Sequence, residues 1–169
     1  ISLGKKIDNY DNPLEDIKNN GDTYKKKFQF TYEELKYFLK EIQEEITNNA
    51  LPRENVKNVI DKLKEDGHEI YIVTARDSEF HDDPYKLSKE WLDKNNIYYD
   101  KLIVNAIEKS SVCKDENIDL FIDDQLNNCL SVTNVGIKTI MITDKIYNYN
   151  EITQLQNWNE IYNYINEME

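Results

Sequence analysis

Two carboxylates stand side by side at Asp123 and Asp124, directly after the apolar run Leu120-Phe121-Ile122. Adjacent carboxylates repel, and each raises the cost of ionising the other. A hard cation removes that cost and prefers oxygen ligands, so the pair reads as a Mg²⁺ site. A lone aspartate here would serve as a helix cap, favoured by the helix dipole; the pairing is what points to metal. A second apolar run, Ile70–Val73, delivers Thr74, Ala75 and Arg76. The Thr74 hydroxyl and the backbone N–H of Ala75 could hold phosphate oxygens. Such a site also needs a fixed cation, and Lys109, upstream of the acidic pair, could supply it. Lys114 reads as solvated. Arg76 could add charge to the same site or be a surface residue paired to Asp77, the surface reading being the favoured one; His68 and His81, with no second ligand in a metal-type pattern, read as surface residues too.

These residues need elements to carry them. Thr31 and Glu34 make a capping box that opens a helix over about 31–49, with Leu35, Phe38, Leu39, Ile42 and Ile46 on one face. Pro52 is placed to open a second helix with Val56, Val59, Ile60 and Leu63 inward. The stretch 69–76 is a β-branched strand, and Asp83-Pro84 starts a helix with Leu87, Trp91 and Leu92 inward. A strand follows at 101–104, a short helix at 109–117, the acidic strand at 119–124, a helix at 125–134 and a strand at 137–143. The pattern predicts a last amphipathic helix using Ile152, Leu155, Trp158, Ile161, Tyr162 and Ile165. Strands alternating with helices imply a doubly wound α/β fold with a parallel sheet. We read residues 1–50 as a small cap region and 51–169 as the α/β core. In such sheets ligands bind beyond the carboxyl ends of the strands, where both the Thr74 and Asp123-Asp124 groups emerge.

Composition narrows the partners. The chain has 169 residues, a formal net charge of −12 and 39% hydrophobic residues, with a pI of about 4.7. This balance argues against a grip on nucleic-acid polymers or anionic membranes, while leaving room for a small phosphorylated ligand. No apolar run approaches the roughly 20 residues of a membrane span, and no signal-peptide core is present in residues 1–30, so the sequence reads as cytoplasmic. Cys113 and Cys129 lack metal spacing and read as packing residues. Phe28, Phe30, Tyr32 and Tyr37 read as cap core, with stacking on a nucleobase as the alternative.

The order Thr74, Lys109, Asp123-Asp124 on alternating strands and helices resembles the haloacid dehalogenase-like phosphohydrolases. The run EIYIVTAR resembles their second motif, Lys109 their third and Asp123-Asp124 their fourth. Within that superfamily the chain is similar to the type C 5′(3′)-deoxyribonucleotidases and their bacterial relatives, from FTYEELKYFLKEIQEEI through to NWNEIYNYI, over about residues 30–166. The resemblance implies a Mg²⁺-dependent phosphomonoester hydrolase acting on a nucleotide through an aspartyl-phosphate. It implies Asp123 as a direct metal ligand, Asp124 as a ligand or its neighbour, Thr74 and Ala75 on phosphate oxygens, and Lys109 neutralising phosphate and nucleophile. The family's first motif, a strand ending in Asp-x-Asp, is not found; Ile7–Asp11 has two acids at the wrong spacing. We therefore expect an N-terminal piece upstream of Ile1, supplying a central strand. A response-regulator receiver is excluded by order, since Thr74 precedes the acids. Two alternatives stay open: an inactive relative binding a nucleotide or protein, and a sugar-phosphate phosphatase of the same fold.

Overall fold

In the computed structural model, residues 30–148 and 150–168 are described; the expected loop before Phe30, the acidic run at 7–11 and Phe28 lie outside the described residues. Thr31 opens the first helix as its pattern requires: its side chain accepts from the Glu34 N–H while the Glu34 carboxylate accepts from the Thr31 N–H. Helix α1 (Tyr32–Tyr37) runs into a π-helical stretch (Phe38–Gln43) and on into α2 (Glu44–Asn49). The wider π turn shifts the winding, so Ile46, in register with Leu35 and Phe38 on a regular helix, ends up 58% exposed.

The second helix starts later than Pro52. Asn55 takes a left-handed backbone conformation (φ 62°), and α3 spans Val56–Glu65 behind it. Strand β1 (Tyr71–Val73) leads through a loop to α4 (Pro84–Lys94), where Asp83 caps by accepting from the Lys86 N–H. Then come β2 (Lys101–Ile103), α5 (Lys109–Asp115), β3 (Leu120–Asp123) and α6 (Leu126–Asn134). Gly136, at φ 87°, makes the left-handed turn after α6 that residues with a Cβ rarely adopt, and β4 spans Lys138–Ile142. One element was hidden in the pattern: Ile152 and Leu155 do not belong to the last helix. Thr153–Leu155 is a strand, β5, and α7 begins at Trp158 and runs to Asn166. Asn157 caps α7 by accepting from the Glu160 N–H, which fixes its start three residues past the strand.

All strand pairs are parallel, as the alternation implied. Among the described residues they form two sheets, β1–β2 and β3–β4–β5. β4 is buried along Thr139–Ile142, the mark of a parallel strand covered on both faces. Its alternation divides two cores. Ile140 and Ile142 pack with Val59 and Leu63 of α3 and Ile161 and Ile165 of α7, whereas Met141 packs with Leu126 and Cys129 of α6. On β3, Leu120 and Ile122 join the first core, and Phe121 packs with Cys113 of α5 and Val132 of α6. Helix α3 links the two sheets: Val59 and Leu63 serve the larger sheet, while Val56 and Ile60 pack with Leu92 and Leu102 beside β1–β2. Both cysteines are free and buried, the packing role expected.

Candidate functional site

The alternation of β3 decides where its acid points. Asp123 follows Phe121 on the face covered by α5 and α6, and the side chain is only 7% exposed. Lys109, the first residue of α5, reaches it: Lys109 Nζ donates to Asp123 Oδ2 at 2.6 Å, and the lysine side chain is 13% exposed. A lysine at a helix N-terminus opposes the helix dipole, so this placement owes nothing to helix stability; the carboxylate opposite is what offsets it. Two further donors converge. The Gln125 N–H donates to Asp123 Oδ1 at 2.8 Å, and Asn128 Nδ2 lies 3.1 and 3.2 Å from the two carboxylate oxygens. Asp123 thus steadies the entry to α6 as well as pairing with Lys109, and most of its acceptor positions are taken.

Asp124 stands apart. It leaves the strand, is exposed, and makes no hydrogen bond or ion pair to another described residue. Its carboxyl is raised above the ordinary value, first by desolvation and second by the Asp123 charge, with Arg53 and Lys109 opposing.

No protein-family model matches the chain. It is 31% identical over 141 residues to a nucleotidase of Clostridium acetobutylicum, covering 80% of this chain and 70% of that one. It is 29% identical over 146 residues to the candidate nucleotidase YqfW of Bacillus subtilis, covering 83% and 73% respectively. A candidate nucleotidase of Halalkalibacterium halodurans matches at 23% over 159 residues. The chain belongs to this nucleotidase family. That membership agrees with the nucleotidase-type hydrolase expected from the sequence.

The residues expected from the sequence to hold phosphate, Thr74 and Ala75, follow a strand of the other sheet. Thr74 directly follows β1, and its Oγ1 accepts from the Arg76 N–H at 3.3 Å, while the Ala106 N–H donates to the Thr74 carbonyl. Ala75 is exposed beside it. The structure thus joins Lys109 to Asp123; among the described residues no hydrogen bond or ion pair joins Thr74 to either.

Two readings need correction. Arg76 is not a surface residue paired to Asp77. It is half-buried, its Nη1 donates to Ser88 Oγ at 3.0 Å, and burial lowers its pKa. His81 is buried at 9% exposure, because Asp77 folds the loop over it: the Asp77 Oδ1 accepts from the Glu79 and Phe80 N–H groups and the Asp77 carbonyl from that of His81. Burial, then the Arg76 charge, depress the His81 pKa. His68 is half-buried and Lys114 exposed.

Sequence reasoning missed Asn128 and the cavity beside Thr74. Asn128 lies on α6 beside the apolar stripe, and a polar residue in a first helical turn reads as capping; only the fold shows that it meets Asp123. The cavity, about 360 Å³, is lined by Phe38, Ile46 and Thr47, by Ile72, Thr74 and Arg76, and by Ser88, Trp91 and Leu92 of α4. Phe38, not Tyr32 or Tyr37, is the aromatic that the first helical segment turns toward it; those two tyrosines are exposed, and Phe30 is buried against Phe38.

Proposed function

We propose that the protein is a Mg²⁺-dependent phosphomonoester hydrolase of haloacid dehalogenase type, acting on a nucleotide. One observation supports this most: a nearly buried lysine–aspartate pair, braced by Asn128, beside a second aspartate left without a partner. A purely structural ion pair would not require the adjacent unpaired carboxylate.

The donor set fits a magnesium ion of the common kind, which takes one or two carboxylates and completes its shell with water and phosphate. Among the described residues no cluster of three or more acidic, histidine or cysteine side chains could hold a metal, so the phosphate itself would be part of the shell. Asp124, with no partner from another described residue, would be the direct ligand, and Asp123 would orient Lys109; this reverses the emphasis the resemblance implied. Bound there, Mg²⁺ would offset the charge that develops on the phosphoryl oxygens.

The remaining chemistry belongs to the chain. Thr74 Oγ1 and the Ala75 N–H would fix phosphate oxygens, and Lys109 would hold a positive charge toward the reacting phosphoryl group, kept in place by Asp123 and Asn128. A carboxylate outside the residues placed here would attack phosphorus as the ester P–O bond breaks, the leaving oxygen taking a proton from a general acid. Water would then cleave the acyl phosphate, releasing inorganic phosphate and restoring the carboxylate.

The test is turnover of a panel of nucleoside monophosphates and sugar phosphates, with Mg²⁺ and with chelator. Nucleotide turnover that needs Mg²⁺ and is lost in both Asp124→Asn and Asp123→Asn is expected. Turnover indifferent to chelator, or intact in Asp124→Asn, would overturn the metal assignment. Preference for sugar phosphates would overturn the substrate class, and a folded protein inert to all of them would mark a binding domain.

A further inference from the structure

Arg76 is a charge that the fold half-buries without giving it an acid among the described residues. Its guanidinium donates to Ser88 Oγ, a neutral group, and makes no ion pair with a described residue. Ser88 is itself only 2% exposed and donates to the Pro84 carbonyl at 2.8 Å, so it is pinned to α4 and fixes the direction of the arginine. No acidic charge offsets the burial that lowers the Arg76 pKa. His81 Nδ1, whose ring feels the Arg76 charge, is a buried polar atom with no hydrogen-bond partner among the described residues. The charged groups felt at His81 are Arg76, Glu44 and Asp77, yet neither acid reaches the guanidinium.

Partial desolvation of a cation without a counter-charge carries a cost. The cost is offset when a ligand brings the missing anion. Arg76 lines the 360 Å³ cavity together with Thr74, and the rest of the wall is largely apolar, with Phe38 and Trp91 contributing rings. Few polar groups converging in an apolar pocket of this size is the usual make-up of a small-molecule site. The planar fork of arginine suits two oxygens of one phosphate better than a lysine would.

We propose that Arg76 is a substrate-anchoring residue: its guanidinium, set by Ser88, grips a phosphate oxygen of the ligand, while the ring-bearing wall of the same cavity takes the organic body. The identity of that anion as an ester phosphate rests on the nucleotidase reading. The bland alternative is that the Arg76–Ser88 bond merely ties the exit of β1 to α4.

Inorganic phosphate binding to the full-length protein, followed by ³¹P NMR, separates the two. It is paired with kinetics on a nucleoside monophosphate and on p-nitrophenyl phosphate. Arg76→Met should weaken phosphate binding and raise KM by about tenfold or more, the usual loss when a hydrogen bond to a charged group goes. Arg76→Lys, which keeps the charge without the fork, should fall between, and Ser88→Ala should cause a smaller loss without unfolding. Phosphate binding unchanged in folded Arg76→Met would overturn the proposal; if that variant does not fold, unchanged binding in Arg76→Lys would do so. A wild type that binds phosphate through Arg76 yet hydrolyses no nucleotide would keep the anchor and sink the nucleotidase reading. Nucleotide turnover unaffected by Arg76 variants would do the reverse.

Discussion

Lys109 and Asp123 are worth more to the molecule together than their surroundings suggest. Each is almost out of solvent; Lys109 donates to Asp123, and Asp123 also accepts from Asn128 Nδ2 and the Gln125 N–H. Removing one partner of such a pair leaves a buried charge uncompensated, which costs about 3–5 kcal/mol. Lys109→Met should therefore lower unfolding free energy by about 3 kcal/mol in a urea titration. The double variant Lys109→Met with Asp123→Asn should recover part of that loss, because it buries no lone charge. A double variant as unstable as the single one would show that packing, not charge, sets the cost. That two acids close the apolar run of β3 was legible in the sequence. Their division of labour was not legible, since it depends on the pleat of β3 and on where α5 begins.

The loop between β1 and α4 shows how an element can reverse a residue's expected place. By composition, 77–83 is a polar connection, and His81 reads as solvent-exposed. Asp77 instead gathers three backbone N–H groups onto itself and presses His81 inward. A histidine whose folded pKa is depressed below its unfolded value resists protonation only while folded. The unfolded chain then binds more protons as pH falls, so stability is full above about pH 6.5 and is lost on the acid side. The wild-type melting temperature should fall between pH 6.5 and 5 more steeply than that of His81→Phe, which keeps the volume and removes the titration. Parallel curves would place the acid sensitivity elsewhere. At the same scale, β5 escaped the pattern because three residues are too few to show a period, and Ile152 and Leu155 also fit a helical face.

Across the whole molecule, α3 and α7 hold the two sheets together. Ile161 is fully buried in the core that joins α3, β3, β4 and α7, and Trp158 also packs against the cluster beside β1–β2. Ile161→Ala should cost about 2–5 kcal/mol, the range for a large-to-small change at a buried site. If the sheets unfold as one unit, far-ultraviolet dichroism and the fluorescence of Trp91 and Trp158 should lose structure at the same denaturant concentration. Separated transitions would mean that each sheet unfolds by itself. Among the described residues no helix is long and apolar enough to cross a membrane.

The sequence by itself determined the alternation of strands and helices, the parallel pairing, the capped first helix and the polar groups at two strand ends. These follow from short-range periodicity and from turn and cap chemistry, which a reader of residues can see. Only the tertiary structure decided that Asn128 meets Asp123, that Asp124 is left open, and that Arg76 and His81 lie inside. Those outcomes depend on which side of a strand faces a helix and on how a loop closes. Such long-range contacts leave no mark in the spacing of neighbouring residues.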